Sequence, residues 1–547
     1  MDSRPETDEI SKRGARPDGS AARSRNLGGF LVLAAILTGL IPLKIATKAG
    51  DGPYGLDANY YVQIARSVAE GGGLMTHVSL YHEGLNPLPA PARIYPLWPL
   101  VLGTTGAAIG LTDAVNILPP VLWVVALIFL YILSQRIAFA MDPISHGRIA
   151  GERLPLTAGH LVVAAFATNP IFWWATSHPY TEGLAFTLAF GALLVLDTAI
   201  RRTSSAVAVS AGALAGLAFL ARSQMVIIIA AAILVLLIAS FRWAPMRKIG
   251  AAAVLGFGIV AAGWIAYRAM RPIGTTDVGG FATWVNSPTA GAYLADRLPG
   301  LAIAFDPRSS LSYFNSFGPT VLVIFFAIAW LAVESGRRGR FPRLEPQYLL
   351  AVMAIATALL SHGILVHRHA RFFLPWLFGW RHGLPLIFGL SAAIVYLVTR
   401  PSALTRWGVV VLVAFATLTG TLRIDASENP TGMTNAEAAF ARWVDHQTPP
   451  PTMLTIGAQT LGMLTRGRYH WMSCDESPAQ TGRMLESLPI DYVVVYGSAR
   501  HCRFLDGLGG ILKVEHSFGP PEHERIWLLR PRAATRVRPN DPGGNAY

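Results

Sequence analysis

The feature that most constrains this 547-residue chain is the recurrence of apolar runs, each close to the ~20 residues that a helix needs to cross a bilayer. Only 14% of the residues are charged, against about 25% in soluble domains. Such a chain lacks the polar surface that covers the core of a soluble protein. The sequence therefore predicts a polytopic α-helical membrane protein and excludes an ordinary cytosolic enzyme.

Charge fixes the predicted topology, because loops rich in Lys and Arg stay in the cytoplasm. All the basic loops lie on one side if the Pro- and Gly-containing run 95–111 is a juxtamembrane or re-entrant helix on the outer side. If that run crosses, every later loop changes side. The first arrangement gives about eleven crossings with a cytoplasmic N-terminus. The net charge of +13 follows from these loops and does not indicate a nucleic-acid partner. The apolar runs cover residues 27–47, 95–111, 114–136, 156–176, 183–200, 206–220, 226–241, 249–269, 317–333, 348–366, 384–398 and 407–422.

Four regions are predicted. Residues 1–26 form a disordered cytoplasmic tail, and residues 27–422 form the membrane domain with outer loops at 48–94 and 271–316. Residues 423–531 alternate short β-type runs with helical patterns, which is typical of a small α/β domain on the outer face. The predicted strands cover 452–457, 491–496, 511–516 and 525–529, the predicted helices cover 435–446 and 477–488, and residues 532–547 form a second disordered tail.

The two cysteines of the chain, Cys474 and Cys502, both fall in the small α/β domain. The outer face of a bacterial cytoplasmic membrane is oxidising, so an isolated pair there is a disulfide candidate. The alternative is two unrelated buried thiols.

An acidic candidate opens the segment LDANYYVQIARSVAEGGGL, in which apolar residues recur at helical spacing before three glycines end the pattern. Asp57 stands at its start and Tyr61 follows one turn later. The segment predicts an amphipathic helix in the membrane interface, with its tyrosines at headgroup depth and Asp57 at the N-cap. An N-cap is an ordinary structural place for an aspartate, so both interpretations stay open on this pattern.

A second acidic residue, Glu182, follows TSHPYTE at the predicted outer end of a helix, where a carboxylate is also ordinary helix-dipole chemistry. Basic residues cluster on the outer side in HRHARFFLP, with His367 and Arg371. Their position opposes the positive-inside trend and favours contact with a phosphate or lipid headgroup. Structural anchoring and zinc ligation through the His-x-His pair are the alternatives, although no third or fourth metal ligand is evident.

Three further residues lie at predicted outer ends of helices. Arg222 ends the run GALAGLAFLARSQ, and Arg93 precedes Tyr95 at the end of the first outer loop.

Acidic groups in the middle of the helices are scarce and no internal repeat is evident, which disfavours an ion-coupled transporter. The chain also lacks the context of a nucleotide-binding glycine motif.

Several of these segments, in this order, resemble those of the GT-C superfamily of integral-membrane glycosyltransferases, especially the protein O-mannosyltransferases and the aminoarabinose or lipopolysaccharide-core sugar transferases of bacteria. Asp57, Tyr61 and Ala65 fit the acidic motif of the first outer loop, but Ala58 replaces its second acid. The other matching segments are RIYPLWPLVLG, NPIFWWATSHPYTEGL, GALAGLAFLARSQ, RFFLP, DYVVVYG and RIWLLR.

This resemblance implies transfer of a sugar from a polyprenyl-phosphate donor to a hydroxyl acceptor on a glycan, lipid or protein, with inversion of configuration. Asp57 is then the expected general base, and Glu182 supports it or positions the acceptor. Binding of the donor phosphate is expected from Arg371 first, then from His367 and Arg222, with Arg93, Tyr61 and Tyr95 nearby. A monophosphate leaving group paired with arginine requires no obligatory cofactor or metal.

The sequence predicts an enzyme of the bacterial cytoplasmic membrane, with its C-terminal domain in the periplasm or outside the cell. Its expected partners are the lipid-linked sugar donor, the hydroxyl acceptor and membrane lipids. Two other functions remain open: a membrane ligase or polymerase of lipid-linked saccharides, and a non-enzymatic transporter of lipids or solutes.

Overall fold

A bundle of apolar helices forms most of the fold, and a six-stranded sheet is attached at one end of it. The computed structural model describes residues 19–47, 52, 54, 56–79, 88–92, 94–141, 156–241, 243–270, 329–330, 332–333, 349–357, 360, 384–400, 402–423, 434–472, 474, 478–496, 502, 510–520 and 525–531. The helices of the bundle are α1 (Gly19–Ala46), α2 (Leu56–Ala69), α3 (Leu97–Ile109), α4 (Leu111–Met141), α5 (Ala158–Ala167), α6 (Pro170–Ala175), α7 (Glu182–Arg202), α8 (Ser205–Ala221), α9 (Val226–Ser240), α10 (Ala244–Met270), α11 (Pro385–Val398) and α12 (Ala403–Arg423).

Within these described residues, six helices are long and apolar enough to cross a membrane: Gly28–Ala46, Leu111–Met141, Glu182–Arg202, Ser223–Ser240, Ala244–Ala266 and Ala403–Leu422. Helix α3 has 13 residues, fewer than the ~20 that a crossing needs, in line with a juxtamembrane helix. The predicted run 317–333 lies mostly outside the described residues, and the run 348–366 is described only at residues 349–357 and 360, so the total of about eleven crossings stays a prediction.

The predicted single helix over residues 156–176 is wrong, because the structure divides this run into α5 and α6. Pro170 occupies the first turn of α6, where its missing N–H costs no hydrogen bond. The Asn169 side chain accepts hydrogen bonds from the backbone N–H groups of Ile171 and Phe172, at 3.1 and 3.0 Å. An Asn-Pro pair inside an apolar run therefore starts a new helix here.

Helices α8 and α10 pack with their backbones in close approach. A Cβ atom at Gly212 would lie 1.9 Å from the Ala253 carbonyl oxygen, and one at Gly256 would lie 2.1 Å from that of Val209. Only glycine fits either position, as is usual where membrane helices pack through small residues. This contact holds α8 against α10.

The C-terminal domain combines helices α13 (Asn435–Asp445), α14 (Ala458–Leu464) and α15 (Pro478–Ser487) with the sheet. The predicted α/β alternation is present, and the predicted strands and helices lie close to their predicted bounds, but helix α14 and the strand Arg468–Trp471 were not predicted. The sheet has the order β2-β5-β4-β6-β8-β7, parallel from β2 to β6 and antiparallel from β6 to β7. The strands are β1 (Met75–Thr76), β2 (Val78–Ser79), β3 (Ala90–Pro91), β4 (Thr452–Thr455), β5 (Arg468–Trp471), β6 (Tyr492–Tyr496), β7 (Leu512–Phe518) and β8 (Ile526–Pro531).

One strand of this sheet does not come from the C-terminal region. Strand β2 belongs to the first predicted outer loop and pairs in parallel with β5, placing Val78 beside Tyr469 and Ser79 beside His470. Strands β1 and β3 of the same loop form a separate antiparallel pair. The loop and the C-terminal domain therefore share one sheet.

Candidate functional site

Helix α2 carries Asp57 and Tyr61 on one face, one turn apart, as the sequence pattern predicts. Asp57 is half-buried and is the second residue of the helix, so its predicted place at the N-cap is wrong. The helix is also more deeply buried than the predicted interface helix: Tyr60 is 2% exposed, and Ala58, Ile64 and Ala65 are fully buried. Helix α2 is covered on one side by α3 and on another by α14 of the C-terminal domain.

Tyr61 connects α2 to the start of α7. Its hydroxyl lies within hydrogen-bonding reach of the Thr181 side chain, and the charges of Arg222 and Glu182 both act on it. Burial is the largest influence and raises the pKa of the Tyr61 hydroxyl to about 12. Tyr61 is therefore a neutral hydrogen-bonding group at physiological pH.

Glu182 and Arg222 form a buried ion pair next to Tyr61. Arg222 Nη1 lies 2.8 Å from Glu182 Oε1, and the two side chains are 7% and 0% exposed. The same Nη1 donates to Thr181 Oγ1 at 3.0 Å. Arg222 Nη2 is also buried but has no hydrogen-bond partner in the described part of the chain. The pair thus holds a guanidinium in place while one of its nitrogens retains unused donors.

The turn before Glu182 is held by hydrogen bonds to two other segments. The Trp98 indole N–H of α3 donates to the Pro179 carbonyl at 2.7 Å. The Tyr180 hydroxyl donates to the Tyr54 carbonyl, just before α2, at 3.3 Å. These bonds bring the beginnings of α2, α3 and α7 together, although they are far apart in sequence.

The other side of this turn rests on Lys44 near the end of α1. Lys44 Nζ, buried at 1% exposure, donates to the Trp173 carbonyl at 2.6 Å and to the hydroxyls of Thr176 and Ser177 at 2.8 Å each. The ammonium also lies 4.7 Å from the ring centre of Trp173 and 5.3 Å from that of Trp123. All three of its donors are used, at the C-terminal end of α6 where a cation is favourable.

Tyr95 lies in an aromatic group at the same end of the bundle. Its ring centre is 5.5 Å from that of Phe219 and 6.3 Å from that of Trp264. Phe219 precedes Arg222 by three residues on α8, so the aromatic group adjoins the buried ion pair. The structure therefore brings Tyr61, Glu182, Arg222 and Tyr95 to the region of Asp57.

Three predicted phosphate-binding residues, Arg93, His367 and Arg371, lie outside the described residues. The predicted outer loop 271–316 lies outside them too. Within the part of the chain that the structure describes, no three His, Cys, Asp or Glu side chains are grouped closely enough to hold a metal ion.

The two cysteines are joined in the C-terminal domain. Cys474 follows β5 and Cys502 follows β6, and their sulfur atoms are bonded, with a Cα–Cα distance of 4.6 Å. The crosslink therefore lies at the carboxyl ends of two parallel strands of the sheet.

Sequence reasoning did not identify Lys44, Trp98 or Thr181 as parts of this region. One signal was present for Lys44: a lysine inside an apolar run is costly in a membrane and indicates a special environment. Trp98 and Thr181 carried no such signal, because their importance comes only from partners distant in sequence.

Comparison with solved structures identifies the architecture. The chain superposes on the crystal structure of ArnT from Cupriavidus metallidurans bound to undecaprenyl phosphate, with a TM-score of 0.55, 14% identity and coverage of 93% of this chain and 99% of that one. The chain has the GT-C fold.

Other GT-C structures support the same conclusion. The apo form of the same ArnT gives a TM-score of 0.51 at 13% identity, covering 92% of this chain and 98% of that one. The Archaeoglobus fulgidus oligosaccharyltransferase, tethered to an acceptor peptide with the NVT sequon, gives a TM-score of 0.52 at 12% identity. The match covers 90% of this chain and 73% of that one. By sequence alone, the chain matches neither a family profile nor a curated protein. The predicted GT-C resemblance is confirmed at the level of the fold, and the chain is a multi-pass membrane protein.

Proposed function

We propose that this protein transfers a sugar from a polyprenyl-phosphate donor to a hydroxyl acceptor at the outer face of the bacterial cytoplasmic membrane. The observation that carries the proposal is the buried Arg222 guanidinium at the end of α8, beside the helix that carries Asp57, because its Nη2 has no hydrogen-bond partner among the residues that the structure describes. The undecaprenyl phosphate bound to the structurally similar ArnT supports a lipid-linked donor.

Arg222 is suited to hold the donor phosphate. A guanidinium presents paired donors that match the geometry of phosphate oxygens, and charge-assisted hydrogen bonds of this kind are the strong ones. Glu182 and Thr181 occupy Nη1 and so fix the orientation of Nη2. Glu182 then acts as a positioning residue for Arg222. Arg371, His367 and Arg93 remain predicted partners of the same phosphate.

Asp57 is suited to be the general base. It is half-buried at the first turn of α2, on the face that carries Tyr61 toward the ion pair. In the proposed step, the acceptor oxygen bonds to the anomeric carbon while its proton passes to the Asp57 carboxylate. The bond from that carbon to the phosphate oxygen breaks, and polyprenyl phosphate leaves with the electron pair. Attack opposite to the leaving group inverts the configuration.

The proposed orientation places the C-terminal domain outside the cell membrane and the N-terminus in the cytoplasm. The disulfide between Cys474 and Cys502 fits the oxidising side. Asp57, Tyr61, Glu182 and Arg222 share the end of the bundle to which the C-terminal domain is attached. A lipid-linked sugar would therefore meet its acceptor at the outer surface.

The experiment compares purified wild-type protein with Asp57→Asn in a transfer assay, after lipid mass spectrometry has identified the donor that accumulates in cells lacking the protein. General-base catalysis contributes about 10²- to 10⁴-fold, so Asp57→Asn should lose at least that much kcat. The matched control is Asp113→Asn, which changes an exposed aspartate in the first turn of α4 and should keep wild-type turnover.

Three results would count against the proposal in different ways. Wild-type turnover in Asp57→Asn would remove Asp57 as the base while leaving the transferase intact. An unchanged pool of polyprenyl-phosphate sugars in cells without the protein, together with no transfer by the purified chain, would favour a transporter. A product lengthened by a whole saccharide would favour a ligase or polymerase.

A further inference from the structure

Helix α2 is attached to the C-terminal domain as well as to the membrane domain. Tyr60 and Ile64 lie in the same apolar core as Phe440, Met453 and residues of β8, all of which belong to the C-terminal domain. The opposite side of α2 packs against α3, where a Cβ atom at Gly103 would lie 2.6 Å from the Ala65 carbonyl oxygen. The helix that carries Asp57 is thus held between two separately formed cores.

Asn59 makes the polar connection nearest to Asp57. Its side chain is fully buried, its Oδ1 accepts from the Tyr54 backbone N–H at 2.7 Å, and its Nδ2 donates to Thr460 Oγ1 on α14 at 3.2 Å. The amide therefore ties the chain that leads into α2 to the C-terminal domain. Asp57 is only two residues away, so the position of its backbone depends on this bridge.

Arg66 makes a second connection at the other end of α2. Its guanidinium donates to the carbonyls of Met463 and Thr465, the second at 3.2 Å. These carbonyls lie at the C-terminal end of α14, where helix carbonyls lack intrahelical partners and a cation is favourable. A charged group that satisfies two such carbonyls contributes more than an exposed ion pair does.

A third connection runs through the first loop. Gln63 on α2 donates to Thr76 Oγ1 at 2.9 Å and accepts from the His77 backbone N–H at 3.1 Å. His77 leads directly into β2, and its carbonyl accepts from the Tyr469 N–H of β5 at 2.8 Å. The strand that enters the C-terminal sheet is therefore also held to α2.

From these contacts we infer that the C-terminal domain forms part of the catalytic machinery by fixing Asp57, with Asn59, Arg66 and Thr460 as positioning residues. The inference rests on the proposed function for the role of Asp57. The contacts themselves predict a measurable attachment whether or not transfer is the reaction.

The test uses Thr460→Val, which removes the hydroxyl at nearly constant shape and lies in the C-terminal domain. The loss of one neutral hydrogen bond corresponds to about a 2- to 10-fold effect, so kcat should fall by that factor while the KM for the donor stays unchanged. Arg66→Gln removes a charged group from two carbonyls and should lower kcat by about 10-fold or more. Asn59→Ala combined with Thr460→Val should be less than additive, because the two changes remove the same bond.

Hydrogen–deuterium exchange supplies a readout that is independent of activity. Thr460→Val and Arg66→Gln should both raise exchange in residues 56–69 and in residues 458–465. The matched control is Arg466→Gln, which breaks the exposed Arg466–Glu70 ion pair across the same interface, with side chains 68% and 49% exposed. Exposed pairs contribute little, so this variant should keep wild-type exchange and kcat.

The outcomes separate this inference from the proposed function. Absence of transfer by the wild-type protein would overturn the proposed function, and the exchange data would still decide the attachment. Unchanged exchange in Thr460→Val and Arg66→Gln would overturn the inference. Raised exchange in α2 with wild-type kcat would also overturn it, because the attachment would then not position Asp57. If Arg466→Gln lost as much kcat as Thr460→Val and Arg66→Gln, the cause would be a general weakening of the interface. That result would overturn the assignment of the positioning residues.

Discussion

Two buried cations at the same end of the bundle, Lys44 and Arg222, have opposite environments. Lys44 uses all three donors on neutral oxygens and lies near the faces of two tryptophans, with no acidic side chain among its bonded partners. Arg222 is paired with the fully buried Glu182 and leaves Nη2 without a partner in the described residues. Burial and charge are similar at the two sites, but hydrogen-bond saturation differs.

This difference separates a structural cation from a candidate binding cation. A saturated ammonium has no capacity for a ligand, so Lys44 can only hold α1, α6 and the following turn together. A guanidinium with buried unused donors carries a desolvation cost that a bound phosphate would relieve. The following three predictions test this contrast, beginning with the largest effect.

Removing one member of the Glu182–Arg222 pair should have the largest effect. Arg222→Gln leaves the Glu182 carboxylate buried without its partner, a change that typically costs about 3–5 kcal/mol. The double variant Glu182→Gln/Arg222→Gln leaves two neutral amides and should recover most of that stability. Thermal unfolding in detergent measures both effects.

The donor KM of the double variant distinguishes a binding role of Arg222 from a purely structural one. If Arg222 binds the donor phosphate, the stable double variant should still show a donor KM raised about 10-fold or more, the effect of a lost charged hydrogen bond. A wild-type donor KM in the double variant would make Arg222 as purely structural as Lys44.

Replacement of Lys44 should have a smaller effect. Lys44→Met removes a buried charge without leaving an opposite charge behind. The Trp173 carbonyl still accepts from the Ser177 hydroxyl at 2.9 Å, so the lost bonds should cost about 1–2 kcal/mol. The donor KM measured on the folded fraction should equal that of the wild type. A raised KM would show that Lys44 also contributes to donor binding and is not a purely structural cation.

The smallest effect concerns pH. Burial, with a smaller contribution from the nearby Lys44 charge, lowers the pKa of His178 to about 4. Below the unfolded value of ~6.5 the unfolded chain gains a proton that folded His178 does not, so stability falls as pH falls from about 6.5 toward 4. In Lys44→Met the pKa should rise, and this pH dependence should become shallower.

Melting temperatures of wild type, Lys44→Met and His178→Gln between pH 7 and pH 5 measure this slope. Burial also lowers the pKa of His470 to about 4, but that residue contributes equally to all three proteins. The difference between the curves therefore isolates His178. Identical slopes in wild type and His178→Gln would contradict the assignment.

Local pattern was sufficient to predict the helical membrane architecture and the α/β character of the C-terminal domain. Helical spacing placed Asp57 and Tyr61 on one face of α2, and the order of short motifs indicated the GT-C fold. These properties depend on residues close in sequence, where period and composition are informative.

The local sequence pattern could not predict contacts between segments that are distant in the chain. The two-residue strand β2 is too short to signal a strand, and its sheet partner lies 391 residues away at the Ser79–His470 contact. The pairing of Glu182 with Arg222 and the saturation of Lys44 likewise depend on helix packing. Sequence reasoning therefore named Glu182 and Arg222 separately and did not predict that they bond to each other.

The shared sheet also determines when, during synthesis, strand β2 can pair with β5. At ~5–20 residues per second, synthesis of the 391 residues that follow Ser79, up to and including His470, takes roughly 20–80 s. During that interval strand β2 has been made while its partner β5 does not yet exist. The loop beside Asp57 can take its final place only when nearly the whole chain is complete, so a nascent or truncated chain would be inserted in the membrane before it is competent.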